Sequence, residues 1–283
     1  MLPFNTELKD KVAVITGGGG VLCSMFAKAL GECGAKVAVL DLNLEAAQKT
    51  AGEINKSGGT AKGYGANVLK PDEMKAVRDE IKKDFGICNL LINGAGGNNP
   101  KGTTTKEYLE FEDLKKSEEI TTFFDLDPQG IEFVFNLNFL GTLIPTQVFA
   151  EDMANNGKGN IINISSMNAF CPLTKIPAYS GAKAAVSNFT QWLAVHFSHV
   201  GIRVNAIAPG FFVTNQNKSL LYNSDGTPTP RTDKIISSTP MKRFGEAEEL
   251  IGTLLFLAND TASSFVDGIV IPVDGGFSAY SGV

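Results

Sequence analysis

Tyr179 and Lys183 stand four positions apart in Tyr179-Ser180-Gly181-Ala182-Lys183. On a helix, positions i and i+4 share a face, so this spacing sets an ammonium beside a phenol. A phenol with an ordinary pKa of about 10 is a poor base near neutrality. Each unit of depression takes about 1.4 kcal/mol of preferential stabilisation of the phenolate. A neighbouring cation supplies part of that, and the pair can then donate a proton to, or take one from, an oxygen on a reacting carbon. Ser166, in Asn163-Ile164-Ser165-Ser166, adds a hydroxyl that can hold such an oxygen in place. Singly these residues are ordinary, since Tyr-x-x-x-Lys is common on helices and Ser-Ser after a strand is usual loop chemistry. Their joint order is what carries meaning.

A second constellation lies near the N-terminus. Thr16-Gly17-Gly18-Gly19-Gly20 follows an apolar β-branched run and precedes a helical pattern. Backbone N–H groups there can approach a pyrophosphate at the positive end of a helix, where a Cβ would block it. Asp41 ends the next apolar run, where a carboxylate can accept hydrogen bonds from ribose hydroxyls. The same charge repels a 2′-phosphate, and neither Asp41 nor Leu42 is replaced by a cation. NAD is therefore expected in preference to NADP.

Both groups need a scaffold. Short β-branched runs at 11–16, 36–41, 89–93, 160–164, 203–208 and 269–273 alternate with helical patterns. Helices are expected at about 20–33, stopped by Gly34, at 44–57, capped by Asn43, and at 71–85, opened by Pro71. The expected fold is α/β: a doubly wound, Rossmann-type, mostly seven-stranded parallel sheet with helices on both faces, in a single domain over 1–283. Two stretches break the rhythm, an insertion at 97–128 and a loop at 211–245. Connections this long are usually functional or mobile.

The sequence resembles the short-chain dehydrogenase/reductase family over nearly its whole length. Tyr179 and Lys183 match the Y-x-x-x-K motif, Ser166 the preceding serine and Asn138, in Asn138-Phe139-Leu140-Gly141, a fourth catalytic member. The resemblance implies hydride transfer between a nicotinamide and a carbonyl or alcohol carbon, with Tyr179 as proton donor, Ser166 on the substrate oxygen, Lys183 on the nicotinamide ribose and Asn138 supporting a water relay. It also implies cofactor contacts from Gly17, Gly19, Gly20, Val21, Leu22, Asp41, Asn67, Val68, Asn93, Ala95, Gly96, Tyr179, Lys183, Pro209, Gly210, Phe212 and Thr214. There are departures. Val21 and Cys23 stand where the pattern T-G-x-x-x-G-x-G has its last two glycines, Gly94 where N-N-A-G has its second Asn, and Asn67 where Asp is usual. Gly20 is expected to take over the tight turn one position early.

The long insertion, the glycine loop, the stretch 211–217 and the tail 273–278 resemble the branch of that family that interconverts D-mannonate and D-fructuronate with NAD. A carboxylate-bearing sugar acid calls for a cation, for which Lys218, Arg231 and Arg243 are candidates, and for hydroxyl readers such as Asn98, Asn99, Asn168 and Gln216. Two other readings stay open: a related ketone or polyol reductase such as a gluconate 5-dehydrogenase, and a cofactor-binding regulatory protein without turnover.

Composition narrows the partners. The net charge of −5, from 25 basic and 30 acidic residues, comes with no basic cluster, so a nucleic-acid partner is not expected. The 4 cysteines lack metal-ligand spacing, and no metal is expected. The N-terminus lacks a secretory pattern and no apolar run approaches a membrane span, so the expected location is cytoplasmic. By the resemblance, a homodimer or homotetramer is expected.

Overall fold

The computed structural model describes residues 7–115, 118–213 and 221–282. Seven parallel strands form one sheet in the order β3-β2-β1-β4-β5-β6-β7. They are β1 (Val12–Thr16), β2 (Lys36–Asp41), β3 (Thr60–Gly65), β4 (Leu90–Asn93), β5 (Gly159–Ile164), β6 (Ile202–Pro209) and β7 (Val270–Val273). The central strands are buried along their whole length, β1 reading Val-Ala-Val-Ile-Thr, as a parallel sheet covered on both faces requires. The helices are α1 (Val21–Glu32), α2 (Leu44–Lys56), α3 (Pro71–Asp84), α4 (Pro128–Phe135), α5 (Gly141–Asn155), α6 (Pro177–Phe197), α7 (Pro230–Ser238) and α8 (Ile251–Ala258). One face of the sheet packs against Phe26 and Leu30 of α1, Ile54 of α2 and Leu254 of α8. The other packs against Met74 of α3, Phe149 and Met153 of α5 and Leu193 of α6. The expected doubly wound α/β domain is the one observed.

Local signals act as the sequence indicates. Asn43 Oδ1 accepts from the Ala46 N–H at 3.2 Å to open α2, and Gly34, at φ +89°, ends α1. Strand β3 is absent from the sequence reading. It is an edge strand, Thr-Ala-Lys-Gly-Tyr-Gly, that buries only Ala61 and Tyr64 well, so it lacks an apolar run.

Among the described residues, the insertion has local order without regular helix or strand before α4. Its described part contains 3-10 turns at Pro100–Gly102, Phe111–Leu114 and Phe123–Asp125, and it closes on itself where the Thr105 N–H donates to the Thr121 carbonyl at 2.9 Å. Turns capped by Asn99 and Thr122 have no sustained period, which is why the sequence shows none.

A continuous helical segment, Pro128–Asn155, runs through α4, a π turn at Asn136–Leu140 and α5. By length and composition it could cross a membrane, contrary to the expectation that no segment qualifies. Here it lies against the sheet, with Asn138, Thr142 and Thr146 buried along it, as a core helix.

Candidate active site

The strand order reverses between β1 and β4, which opens a crevice at the carboxyl ends of the strands. The glycine loop lines it. Gly17 takes φ +67° with its backbone against Ala95, where a Cβ would stand 3.0 Å from that residue's backbone nitrogen. A Cβ on Gly18 would strike Val39, and one on Gly19 would strike Ala46 and Asp41. The tight turn runs from Gly17 to Gly20, whose N–H donates to the Gly17 carbonyl at 3.0 Å, and Gly20, at φ −77°, also serves as the N-cap of α1. The first N–H to return into the helix is that of Ser24, to the Gly20 carbonyl at 2.9 Å. No side chain caps α1 and no acid lies in its first turn, so the N–H groups of Val21 and Leu22 suit an anionic pyrophosphate. Asp41 is fixed at the mouth, its two oxygens accepting from the Gly19 N–H at 3.0 Å and the Asn43 N–H at 2.9 Å. The crevice thus fits a dinucleotide.

At the end of β5, Ser165 and Ser166 face the first turns of α6. Lys183 is 4% exposed; its Nζ donates to the Ile164 carbonyl at 2.8 Å and lies 5.7 Å from the Tyr179 ring centroid. The Ser165 hydroxyl donates to the Lys183 carbonyl at 3.2 Å, which ties α6 back to the strand. Burial pushes Lys183 down to about 8. Burial also pushes the Tyr179 phenol up, and the Ser166 hydroxyl bonded to it offsets only part of that. The expected depression of the phenol is not present in the protein alone. Desolvation of the phenolate outweighs the one hydrogen bond, and the Lys183 amine is engaged with Ile164.

Asn138 sits within the π turn, where the widened helix lets its side chain reach across. Its Nδ2 donates to the Gly97 carbonyl at 2.7 Å and the Val134 carbonyl at 2.8 Å. A Cβ on Gly96 would come within 2.7 Å of Asn138 Oδ1 and 3.3 Å of Lys183 Nζ, so the three residues meet at one point. A buried polar chain supports them. Thr142 donates to the Asn138 carbonyl at 2.9 Å, and Thr146 donates to the Thr142 carbonyl at 2.7 Å. Asn93 donates to Thr146 and to Asn163, both at 2.9 Å, and Asn163 donates to Thr190 of α6 at 2.9 Å. Asn93 is 1% exposed, and its side chain joins β4, β5 and α5. Thr142, Thr146, Asn163 and Thr190 are not among the site residues expected from the sequence. The spacing of Asn138, Thr142 and Thr146 at successive fourth positions was the available signal.

A family model described as short chain dehydrogenase matches residues 11–224. The chain belongs to the short-chain dehydrogenase family. An "Uncharacterized oxidoreductase" of Haemophilus influenzae is 65% identical over 279 residues, 99% of this chain and 97% of that one. A crystal structure with bound NAD, of a provisionally named D-mannonate oxidoreductase from Haemophilus influenza, is 64% identical with a TM-score of 0.93, covering 98% of each chain. A gluconate 5-dehydrogenase from Burkholderia cenocepacia, in complex with NADP and tartrate, is 27% identical with a TM-score of 0.83, covering 99% of this chain and 100% of that one. The protein is accordingly an oxidoreductase of this family.

Two departures of this dehydrogenase from the family pattern prove to be one. A Cβ on Gly94 would stand 2.1 Å from Cys23 Sγ, so the thiol fills the place that a side chain at position 94 would take. Cys where the pattern has Gly, and Gly where it has Asn, form a matched exchange between α1 and the end of β4. Thr16 completes that contact, its Oγ1 accepting from the Gly94 N–H at 3.1 Å and the Ala95 N–H at 3.2 Å. Burial pushes the Cys23 thiol up to about 12, which keeps it a packing group.

The remaining candidates divide. Asn67 bonds its own turn, its Oδ1 accepting from the Leu69 N–H, above a buried Val68. Pro209 ends β6 and Gly210 packs on Asp274, while Phe212 is buried against Gly245. Asn168 is buried two residues from Ser166, whose hydroxyl accepts from its N–H at 3.3 Å. Asn98 donates to Thr103 and Asn99 caps the Pro100–Gly102 turn, so both are spent on the insertion's own folding. Arg243 is paired with Glu249 by two bonds of 2.7 Å. Arg231 is exposed on α7. Thr214, Gln216 and Lys218 lie outside the described residues.

Proposed function

We propose that this dehydrogenase uses NAD in preference to NADP to interconvert a hydroxyl and a keto carbon of a sugar acid, D-mannonate and D-fructuronate. The observation that carries the chemistry is the Ser166–Tyr179 hydrogen bond beside buried Lys183, at the crevice lined by the glycine loop. Bound in that crevice, the nicotinamide supplies or accepts the hydride. Tyr179 donates its hydroxyl proton to the developing alkoxide in reduction and takes it back in oxidation. Ser166 holds the substrate oxygen within reach of the phenol. Lys183 adds a positive charge where the phenolate forms, and Asn138, held to Gly97, positions the adjoining backbone. Asp41 supports the choice of NAD, because its fixed carboxylate suits ribose hydroxyls and repels a 2′-phosphate. The sugar-acid assignment is supported by the likeness to the NAD-bound protein named for D-mannonate.

The test is NADH oxidation with D-fructuronate and with 5-keto-D-gluconate. Turnover of D-fructuronate is expected. The likeness to the gluconate 5-dehydrogenase favours the second substrate, and turnover confined to 5-keto-D-gluconate would replace the first reading by that one.

A further inference from the structure

Several cations of the insertion and of the segment after β6 are matched one to one with carboxylates: Lys101 with Asp127, Lys106 with Asp113 and Arg243 with Glu249. Glu107 is different. Its carboxylate, on the insertion, is ion-paired with Lys234 of α7. Lys175, from the loop between β5 and α6, and Arg231 of α7 add further positive charge, and the three together hold Glu107 below the usual carboxylate range. Three chain segments thus converge with three cations against one acid.

Lys175 is also held in an unusual backbone conformation, φ +71°, in the left-handed region that a lysine enters only at a cost. The Thr104 N–H of the insertion donates to its carbonyl at 2.9 Å and pins it there, a few residues ahead of Tyr179. In a protein of net charge −5, a site for an anion needs local excess cation to overcome the general repulsion.

We infer that Lys175, Arg231 and Lys234 form the rim that recognises the carboxylate of the substrate, with Glu107 holding that place when substrate is absent. The inference rests on the sugar-acid reading above and names the residues that would select it. Glu107 suits the role because it is partly exposed and its partner Lys234 is 60% exposed, so solutes can reach the pair. A substrate carboxylate replacing it preserves the charge balance. No covalent step is involved.

The experiment compares D-fructuronate with its uncharged methyl ester, using NADH and the full chain. Lys175→Gln, Arg231→Gln and Lys234→Gln are combined in one variant. The expected result is a rise in KM for the acid of about tenfold, the equivalent of one or two exposed charge contacts, with kcat and the KM for the ester little changed. The charge-keeping pair Lys175→Arg and Lys234→Arg should retain the wild-type KM for the acid, and Glu107→Gln should lower it. An equal KM shift for acid and ester would assign the cations a structural role and overturn the rim. So would no shift at all. If wild type turns over 5-keto-D-gluconate but not D-fructuronate, the D-mannonate reading falls while the same comparison, made with 5-keto-D-gluconate and its ester, decides the rim. Wild type that binds neither acid better than its ester overturns the rim outright.

Discussion

Tyr179 sits where its own ionisation is opposed, since burial raises its pKa, while Lys183 beside it is lowered to about 8. Both shifts have the same cause, removal of a charged form from water, and they act in opposite directions because one group gains charge on protonation and the other loses it. The phenol therefore stays protonated across neutrality, as a proton donor must, and Lys183 is charged below about 8 and neutral above it. The kcat/KM for keto reduction should be level at lower pH and fall as pH rises through about 8, where the cation that stabilises the phenolate is lost. A profile flat through that point would remove the Lys183 charge from the step. Tyr179→Phe keeps the ring and its packing but deletes the proton. It should cost about 10²- to 10⁴-fold in kcat while leaving NADH binding, followed by nicotinamide fluorescence, nearly unchanged. Equal turnover in the two proteins would favour the reading in which the crevice binds a cofactor without catalysis.

At the scale of elements, the site is held by contacts between parts of the chain that are distant in sequence. The chain Asn138–Thr142–Thr146–Asn93–Asn163–Thr190 links the π turn, α5, β4, β5 and α6 through buried hydroxyls and amides. Thr146→Val preserves volume but leaves the Asn93 amide with one partner fewer in a site closed to water. Chemical denaturation should show a loss of about 1–3 kcal/mol. The Cys23–Gly94 exchange gives a second case: Gly94→Ala should destabilise by about 1–3 kcal/mol through overpacking, and adding Cys23→Gly should recover much of the loss. Additive effects would show that the two positions do not share the space. Such pairs mark the limit of what one sequence displays. The strands β1, β2, β4, β5 and β6 were legible because full burial writes itself as an apolar run. The Tyr179–Lys183 spacing was legible because helical periodicity is local. Strand β3, buried on one side only, and Arg243, whose partner Glu249 is set by the fold of the loop, carry no local mark of their situation. Four consecutive glycines likewise do not say which one must face Ala95.

At the scale of the molecule, the cofactor crevice lies at the junction of two halves of the sheet, β1–β3 on one side and β4–β7 on the other. The glycine loop and Asp41 come from the first half, and Ser166, Tyr179 and Lys183 from the second. Exposed apolar side chains on the helices beside the site, Phe133 of α4 and Trp192 of α6, would suit burial in the homodimer or homotetramer expected for such an enzyme, which gel filtration with light scattering can count. The joining of the two halves has a consequence independent of turnover. A dinucleotide that contacts both binds only the folded chain, so it must stabilise the domain as a unit, by about 2.7 kcal/mol at a concentration roughly 100 times its Kd. Thermal unfolding should show one transition that moves up with NADH, and much less with NADPH at equal concentration, because Asp41 is already fixed by the Gly19 and Asn43 N–H groups and cannot swing away from a 2′-phosphate. Asp41→Ala removes that repulsion, so the difference between the two cofactors should shrink toward zero. If NADPH stabilised wild type as well as NADH did, the carboxylate would not be the selector, and the preference for NAD would fall with it.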